Sequence, residues 1–307
     1  MKKVIVIAGP TASGKTGLAL HLANRLDGEI VSADSRQVYR FMDIGTAKPR
    51  PELRSAVIHH CIDICDPDQY FSAGEYSRIA RTTVRDILKR DKQPVVAGGS
   101  GLYIQALIDG VFSGNYRDPD IRRRLKEEAQ QKGLQALYTR LRKQDPDYAS
   151  RIHENDQRRI VRALEVCEMS GRPVSRIRQE ETVPAGFPFR MFGLRWKRDV
   201  LYRRIESRVD RMMASGLREE VEFLLNRGYS LEDNALDSVG YKEMIAHLKG
   251  RLSLDEAVDQ IKRNTRRYAK RQMTWFRRDP RILWIDLEGD IHWGKVTDQL
   301  LHRLKES

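Results

Sequence analysis

The amino-acid sequence predicts an α/β protein: a parallel sheet covered by helices, with an all-helical segment inserted into it. Three observations carry that expectation. Short apolar runs alternate with amphipathic helical patterns through the first third of the chain. From about Arg117 to Arg198 the pattern turns helical. Apolar runs then return at Met191–Trp196 and Arg281–Asp286. Strand–helix alternation of this kind gives parallel strands joined by crossovers, with both faces of the sheet buried.

Taken in order, Val4–Ala8 is a continuous apolar run ending in a glycine-rich turn, as a buried parallel strand does. Leu18, Leu22 and Leu26 follow at helical spacing. Glu29–Ser32 is a second strand leading into Asp34, His59–Ile64 a third, and Pro94–Ala97 a fourth before Gly98-Gly99-Ser100-Gly101. Between the last two, Ala73–Arg90 carries Tyr76, Ala80, Val84 and Ile87 on one helical face. Within the insertion, Ile121–Lys143 and Asp156–Ser170 are helical stretches. The C-terminal third is helical up to Arg281–Asp286, and its longest helix opens on the capping box Ser253-Leu254-Asp255-Glu256. The expected layout is residues 1–116 and 199–307 for the core and 117–198 for the insertion.

A chain of 307 residues exceeds what one hydrophobic core usually fills, which agrees with that division. Lys and Arg number 56 against 43 Asp and Glu, a net charge of +13. The excess points to an anionic partner, a nucleic acid or a set of phosphates. The window 117–198 alone carries +8, over half of the net charge, which marks it as a distinct functional unit. No apolar run reaches the ~20 residues of a membrane span. The opening residues are too short an apolar stretch for a signal peptide, and three cysteines argue against a disulfide scaffold. The expectation is a soluble, cytoplasmic monomer. His59, His60, Cys61 and Cys65 read as strand alternation rather than a metal site, because no second Cys or His pair closes a tetrahedron. Trp275, Trp284 and Trp293 are expected in the core.

Gly9-Pro10-Thr11-Ala12-Ser13-Gly14-Lys15-Thr16 fits G-x-x-x-x-G-K-[ST] at every specified position, between an apolar strand and an amphipathic helix. Amide groups of such a loop converge on an anion at a helix N-terminus. Lys15 adds a point charge, and the Thr16 hydroxyl is suited to ligate Mg²⁺. The core is therefore expected to be P-loop NTPase-like. The loop names a polyphosphate and leaves the reaction open, ATP included.

Further blocks narrow it: Asp34-Ser35-Arg36-Gln37-Val38-Tyr39, Met42-Asp43-Ile44-Gly45-Thr46-Ala47-Lys48-Pro49, the glycine turn before Leu102-Tyr103, Asp118-Pro119-Asp120-Ile121-Arg122, Gln157-Arg158-Arg159-Ile160 and Ser238-Val239-Gly240-Tyr241-Lys242. Together with the loop they resemble the tRNA dimethylallyltransferases, collinearly over nearly the whole chain. The resemblance implies a helical insertion gripping the anticodon arm, and a core channel that takes dimethylallyl diphosphate on one side and a flipped adenine on the other. The implied product is an N6-prenylated adenine immediately 3′ of the anticodon. Ser100 stands where the family often has Thr. No zinc finger of the eukaryotic kind follows, as in the bacterial form.

The resemblance further implies that Arg208 contacts the diphosphate, that Asp34, Ser35, Arg36 and Gln37 hold the adenine, and that Ser100, Arg122, Gln157, Arg158, Arg159, Ile160 and Val161 contact tRNA. The chemistry suits these residue types. An adenine exocyclic amine is a poor nucleophile, and a carboxylate accepting its proton helps by roughly 10²–10⁴-fold. Asp34, just past a strand end, is the candidate base; it would also serve as a helix N-cap or a Mg²⁺ ligand. Lys15, Thr16 and Mg²⁺ would stabilise the departing diphosphate. Taken alone, Arg208 and the cluster Arg158, Arg159 and Arg162 read more readily as solvated helix faces; the resemblance reverses that for Arg208, and the local net charge favours phosphate contacts for the cluster. The basic helix Lys262–Arg278 suits core packing with a charged outer surface as well as base stacking. Two other functions use the same loop: a nucleoside or nucleotide kinase with a helical lid, and a non-catalytic RNA-binding NTPase switch.

Overall fold

The computed structural model describes residues 2–112, 114 and 116–305. They form two compact units, one made of the residues up to Ile108 together with those from Ala185 onward, the other Asp109–Pro184. The first unit begins with β1 (Val4–Ala8), α1 (Lys15–Arg25), β2 (Gly28–Ser32), α2 (Pro51–Ala56) and β3 (His59–His60). It continues with α3 (Ala73–Lys89), β4 (Gln93–Gly98) and α4 (Gly101–Ile108). The second unit holds α5 (Pro119–Lys132), α6 (Leu134–Gln144), α7 (Pro146–Ala149), α8 (Gln157–Ser170) and α9 (Val174–Glu181). The chain then returns to the first unit with β5 (Phe189–Trp196), α10 (Arg198–Ala214), α11 (Leu217–Asn226) and α12 (Tyr241–Leu248). It finishes with α13 (Leu254–Phe276), β6 (Ile282–Leu287) and α14 (Trp293–Lys305).

All six strands are parallel, in the order β3-β2-β4-β1-β5-β6. β1 is central, with Ile7 opposite Ala97 of β4 and Phe192 of β5. Every residue of β1 is fully buried. Its side chains alternate between two layers, as a strand's period of two requires. Val4, Val6 and Ala8 join the core under α3, α12 and α13. Ile5 and Ile7 join the core under α1 and α14. This doubly covered parallel sheet is the P-loop NTPase-like architecture expected from the sequence. In such sheets the crevice beyond the carboxyl ends of the strands is where ligands bind.

The insertion is shorter than the expected 117–198. Its compact unit ends at Pro184, because β5 hydrogen-bonds to β1 and β6 and draws the following residues into the sheet. That shift removes the concentration of charge: Arg190, Arg195, Lys197 and Arg198 belong to the first unit, and Asp109–Pro184 carries only +3. The basic excess is spread over both units. Inside the insertion, the expected helix 121–143 is broken at Gly133, whose φ of +81° suits a residue without a side chain. The helices close on Leu125, Leu141, Ile160, Leu164 and Ile177.

Two smaller expectations also change. The strand expected over 59–64 stops at His60, because Cys61 and Asp63 have φ near +60° and turn the chain. Trp275 lies on the flank of α13 and is 39% exposed, so it is not a core residue. Among the described residues no helix is long and apolar enough to cross a membrane.

Candidate active site

The loop after β1 passes through Gly9–Gly14 into α1. Gly14 caps the helix with φ +96° and offers no side-chain acceptor, so the first-turn amides keep their donors for an external anion. Lys15 Nζ donates to the Pro10 carbonyl at 2.6 Å, across the hollow of the loop. The Ser13 amide points to the same carbonyl at 3.3 Å. Burial brings the Lys15 ammonium down to about 7; the Asp34 carboxylate opposes that shift and the Arg208 guanidinium adds to it.

α10 supplies the facing wall. Arg203, Arg204, Ser207, Arg208 and Arg211, together with Lys15 and Thr16, line a cavity of about 510 Å³. None of the described residues that line it carries a carboxylate, so the cavity is built for an anion. Burial also lowers the Arg208 guanidinium, with Asp34 pulling it back up. Arg208 meets the Thr46 carbonyl at 3.4 Å. Lys15, Asp34 and Arg208, which lie far apart in sequence, are thus brought into one electrostatic group.

Asp34 follows β2. Its Oδ1 accepts from the Arg36 amide at 2.9 Å, a local turn that fixes the carboxyl. No helix starts there, so the N-cap reading falls. The Ser35 amide donates to Ser100 Oγ at 2.9 Å, and Ser100 Oγ in turn donates to Ser35 Oγ at 3.1 Å, joining the second block to the glycine turn. The rest of the block is occupied by protein partners. Gln37 Oε1 accepts from Ser32 Oγ at 3.0 Å, and its Nε2 donates to the carbonyls of Thr46 and Ala47 at 3.3 Å. Arg36 donates to the Asn234 carbonyl at 2.6 Å. In this structure the Gln37 amide holds the 46–47 loop, so the adenine contact implied for it is not preformed.

The loop 42–48 is held from a distance. Glu220 of α11 accepts from the amides of Asp43, Ile44 and Gly45 at 2.7–3.0 Å, and Tyr241 Oη donates to its Oε1 at 2.6 Å. The buried Lys48 ammonium lies between Asp43 and Asp63. These two sequence blocks hold the loop whose Thr46 carbonyl meets Arg208.

In the insertion, Asp156 caps α8 by accepting from the Arg159 amide. Gln157, Arg158 and Arg159 are exposed on its first turn. Ile160 and Val161 are not: they sit at 0% and 4% exposure in the helical core, so their side chains cannot reach RNA. Arg122 and Arg162 both pair with the buried Glu165 at 2.7 and 2.8 Å, and Arg162 also donates to the Tyr116 carbonyl. Both hold the insertion together. Of the run expected to contact RNA, residues 157–159 alone present their side chains.

Sequence reading singled out only Arg208 of the α10 wall. Arg204, Ser207, Arg208 and Arg211 recur at helical spacing directly after a strand, which was the available signal. For Trp196, Glu220 and Gln272, which grip loops from remote positions, the local sequence held none.

The model of a family described as IPP transferase matches residues 37–279. A tRNA dimethylallyltransferase of Geobacter metallireducens is 51% identical over 289 residues, 94% of this chain and 93% of that one. The counterpart from Geobacter sulfurreducens is 52% identical over 92% of both. Among solved structures, the tRNA isopentenylpyrophosphate transferase of Bacillus halodurans is similar with a TM-score of 0.73 at 41% identity, over 100% of this chain and 98% of that one. A eukaryotic dimethylallyltransferase acting on tRNA is similar with a TM-score of 0.83 at 28% identity, over 98% of this chain and 78% of that one.

Proposed function

The chain belongs to the IPP transferase family, and from that premise we propose that it transfers a dimethylallyl group from dimethylallyl diphosphate to N6 of the adenine immediately 3′ of the anticodon in tRNA. The observation that carries the reading is the carboxylate-free, cation-walled cavity at the phosphate loop, with the Asp34 carboxylate coupled to Lys15 and Arg208. The diphosphate lies in that cavity against the α1 amides, Lys15 and Arg208. The flipped adenine approaches from the Asp34 side. As the N6–C1 bond forms, the C1–O bond breaks and its electron pair leaves with the diphosphate. The N6 proton passes to Asp34. Lys15 and Arg208 meet charge where it grows, which is how such groups lower a barrier.

The oxygen donors of the cavity are the Thr16 and Ser207 hydroxyls, a set that suits a cation arriving with phosphate oxygens rather than one caged by protein. Mg²⁺ held by Thr16 and the diphosphate would, when bound, neutralise leaving-group charge. Gln157, Arg158 and Arg159 are the insertion's contacts to the anticodon arm, and the enzyme works as a cytoplasmic monomer. The relatives cited above are named for prenyl transfer to tRNA, which gives no support to a kinase.

One assay tests this reading. Incubation with bulk tRNA, dimethylallyl diphosphate and Mg²⁺ should yield prenyl-adenosine by mass spectrometry of the digested RNA. Unmodified RNA, with phosphate transferred from ATP to a nucleoside instead, would overturn it.

A further inference from the structure

The phosphate loop is gripped from outside at two successive carbonyls. Trp196, the last residue of β5, donates its indole N–H to the Ser13 carbonyl at 3.0 Å. Arg204, two turns into α10, donates Nε–H to the Ala12 carbonyl at 3.0 Å. The two gripping side chains also support each other: the Arg204 guanidinium lies 4.4 Å from the centre of the Trp196 ring. That distance is well inside the range of a cation–π contact.

We propose that Trp196 and Arg204 are positioning residues for the diphosphate, acting through the loop they hold. In a trans peptide the C=O and the following N–H point in opposite directions. Drawing the Ala12 and Ser13 carbonyls outward therefore turns the Ser13 amide to the Pro10 carbonyl, which it meets at 3.3 Å, and aims the Gly14 amide inward, at the hollow across which Lys15 reaches.

Three features show why the loop needs an outer hold. Ala12 has φ +61°, a left-handed conformation that costs about 1 kcal/mol or more for a residue with a Cβ. The Ser13 hydroxyl is fully buried and makes no hydrogen bond, so it does not fix the turn. Gln272 reaches only the preceding residue, accepting from the Thr11 amide. Arg204 itself pairs with no acid among the described residues, and burial lowers its pKa. A cation kept in that setting without a carboxylate is explained by its carbonyl partner and its aromatic one.

Trp196 does not line the cavity, whereas Arg204 does. This difference separates positioning from direct contact. Trp196→Phe keeps an aromatic face for Arg204 and removes the N–H, together with part of the ring's bulk. Arg204→Lys keeps the charge and loses the planar fork.

The inference rests on the diphosphate occupying this cavity, so Lys15→Ala is measured alongside. The readouts are the dissociation constant for inorganic pyrophosphate by calorimetry and the separate KM values for dimethylallyl diphosphate and tRNA. Trp196→Phe should weaken pyrophosphate and raise the diphosphate KM by about 3- to 10-fold, the size of one lost hydrogen bond. The tRNA KM should stay within twofold. Arg204→Lys should do at least as much, and the double variant should lose less than the product of the two single losses, because they act on one loop. Wild-type pyrophosphate affinity in folded Arg204→Lys or Trp196→Phe, with Lys15→Ala weakened, would overturn the positioning role alone. Wild-type affinity in Lys15→Ala would overturn the site itself. Equal rises in both KM values would mean general loosening and likewise overturn the proposal.

Discussion

Gln272 and Thr11 are joined by a hydrogen bond of 2.8 Å, from the loop amide to the side-chain Oε1 on α13. The same side chain donates through Nε2 to the Gly99 carbonyl at 2.9 Å. One buried amide thus joins the phosphate loop to the glycine turn that carries Ser100. The oxygen and the nitrogen of the amide are both used.

Gln272→Ala should strand the Thr11 amide and the Gly99 carbonyl in a buried setting. The expected cost is about 2–4 kcal/mol of stability, at roughly 1–2 kcal/mol for each unpaired group. Urea unfolding measures it. The diphosphate KM should rise as well, since the loop loses a support. A variant of wild-type stability would show that water replaces the side chain without cost.

Asp34→Ala should leave tRNA affinity within a few-fold and cut the single-turnover rate by roughly 10²-fold or more, the usual worth of a positioned base. Rapid-quench measurement at saturating substrates decides it. Near-normal turnover would remove Asp34 as the proton acceptor.

Lys15 gives a pH dependence of known sign. Its ammonium loses its proton near pH 7 in the ligand-free protein, and a bound anion favours the charged form. Pyrophosphate affinity should therefore be full below about pH 7 and weaken as pH rises beyond it, up to tenfold per unit. Lys15→Arg keeps its charge throughout, and its affinity should lack that component. Titrations of both proteins at pH 6–9, without divalent metal, make the comparison. Identical pH profiles would mean that Lys15 stays charged across the range.

The arginines of α8 should separate into two kinds. Replacing Arg158 and Arg159 by Ala should raise the tRNA KM and lower the salt slope of binding by roughly two, one for each lost phosphate contact. Saturated single-turnover rates should hold. Arg162→Ala should instead destabilise the insertion by roughly 1–3 kcal/mol, because Glu165 is fully buried and would keep only Arg122 as an ionic partner. Binding at several salt concentrations and thermal unfolding distinguish the two. An unchanged slope in the double variant would make Arg158 and Arg159 a solvated face.

What the sequence determined by itself was contiguous. A strand, eight loop residues and a helix specify the phosphate loop, because its amides, its lysine and its helix end all lie within one local turn. Alternating apolar runs specified the parallel sheet in the same way, since each run had to bury both faces. Tertiary structure alone decided what grips that loop and where the insertion ends. Gln272 acts across 261 residues of chain, Arg204 across 192 and Trp196 across 183. A single side chain reaching a distant carbonyl leaves no period to read. The end of the insertion depended on strand pairing: the run 191–196 was legible as a strand, but four basic residues in or beside it kept it inside the basic window, and its hydrogen bonds to β1 and β6 are what draw the boundary back to Pro184. Ile160 and Val161 show the same limit at the scale of one turn. They follow two exposed arginines in sequence, but a helix rotates about 100° per residue and turns them into the core.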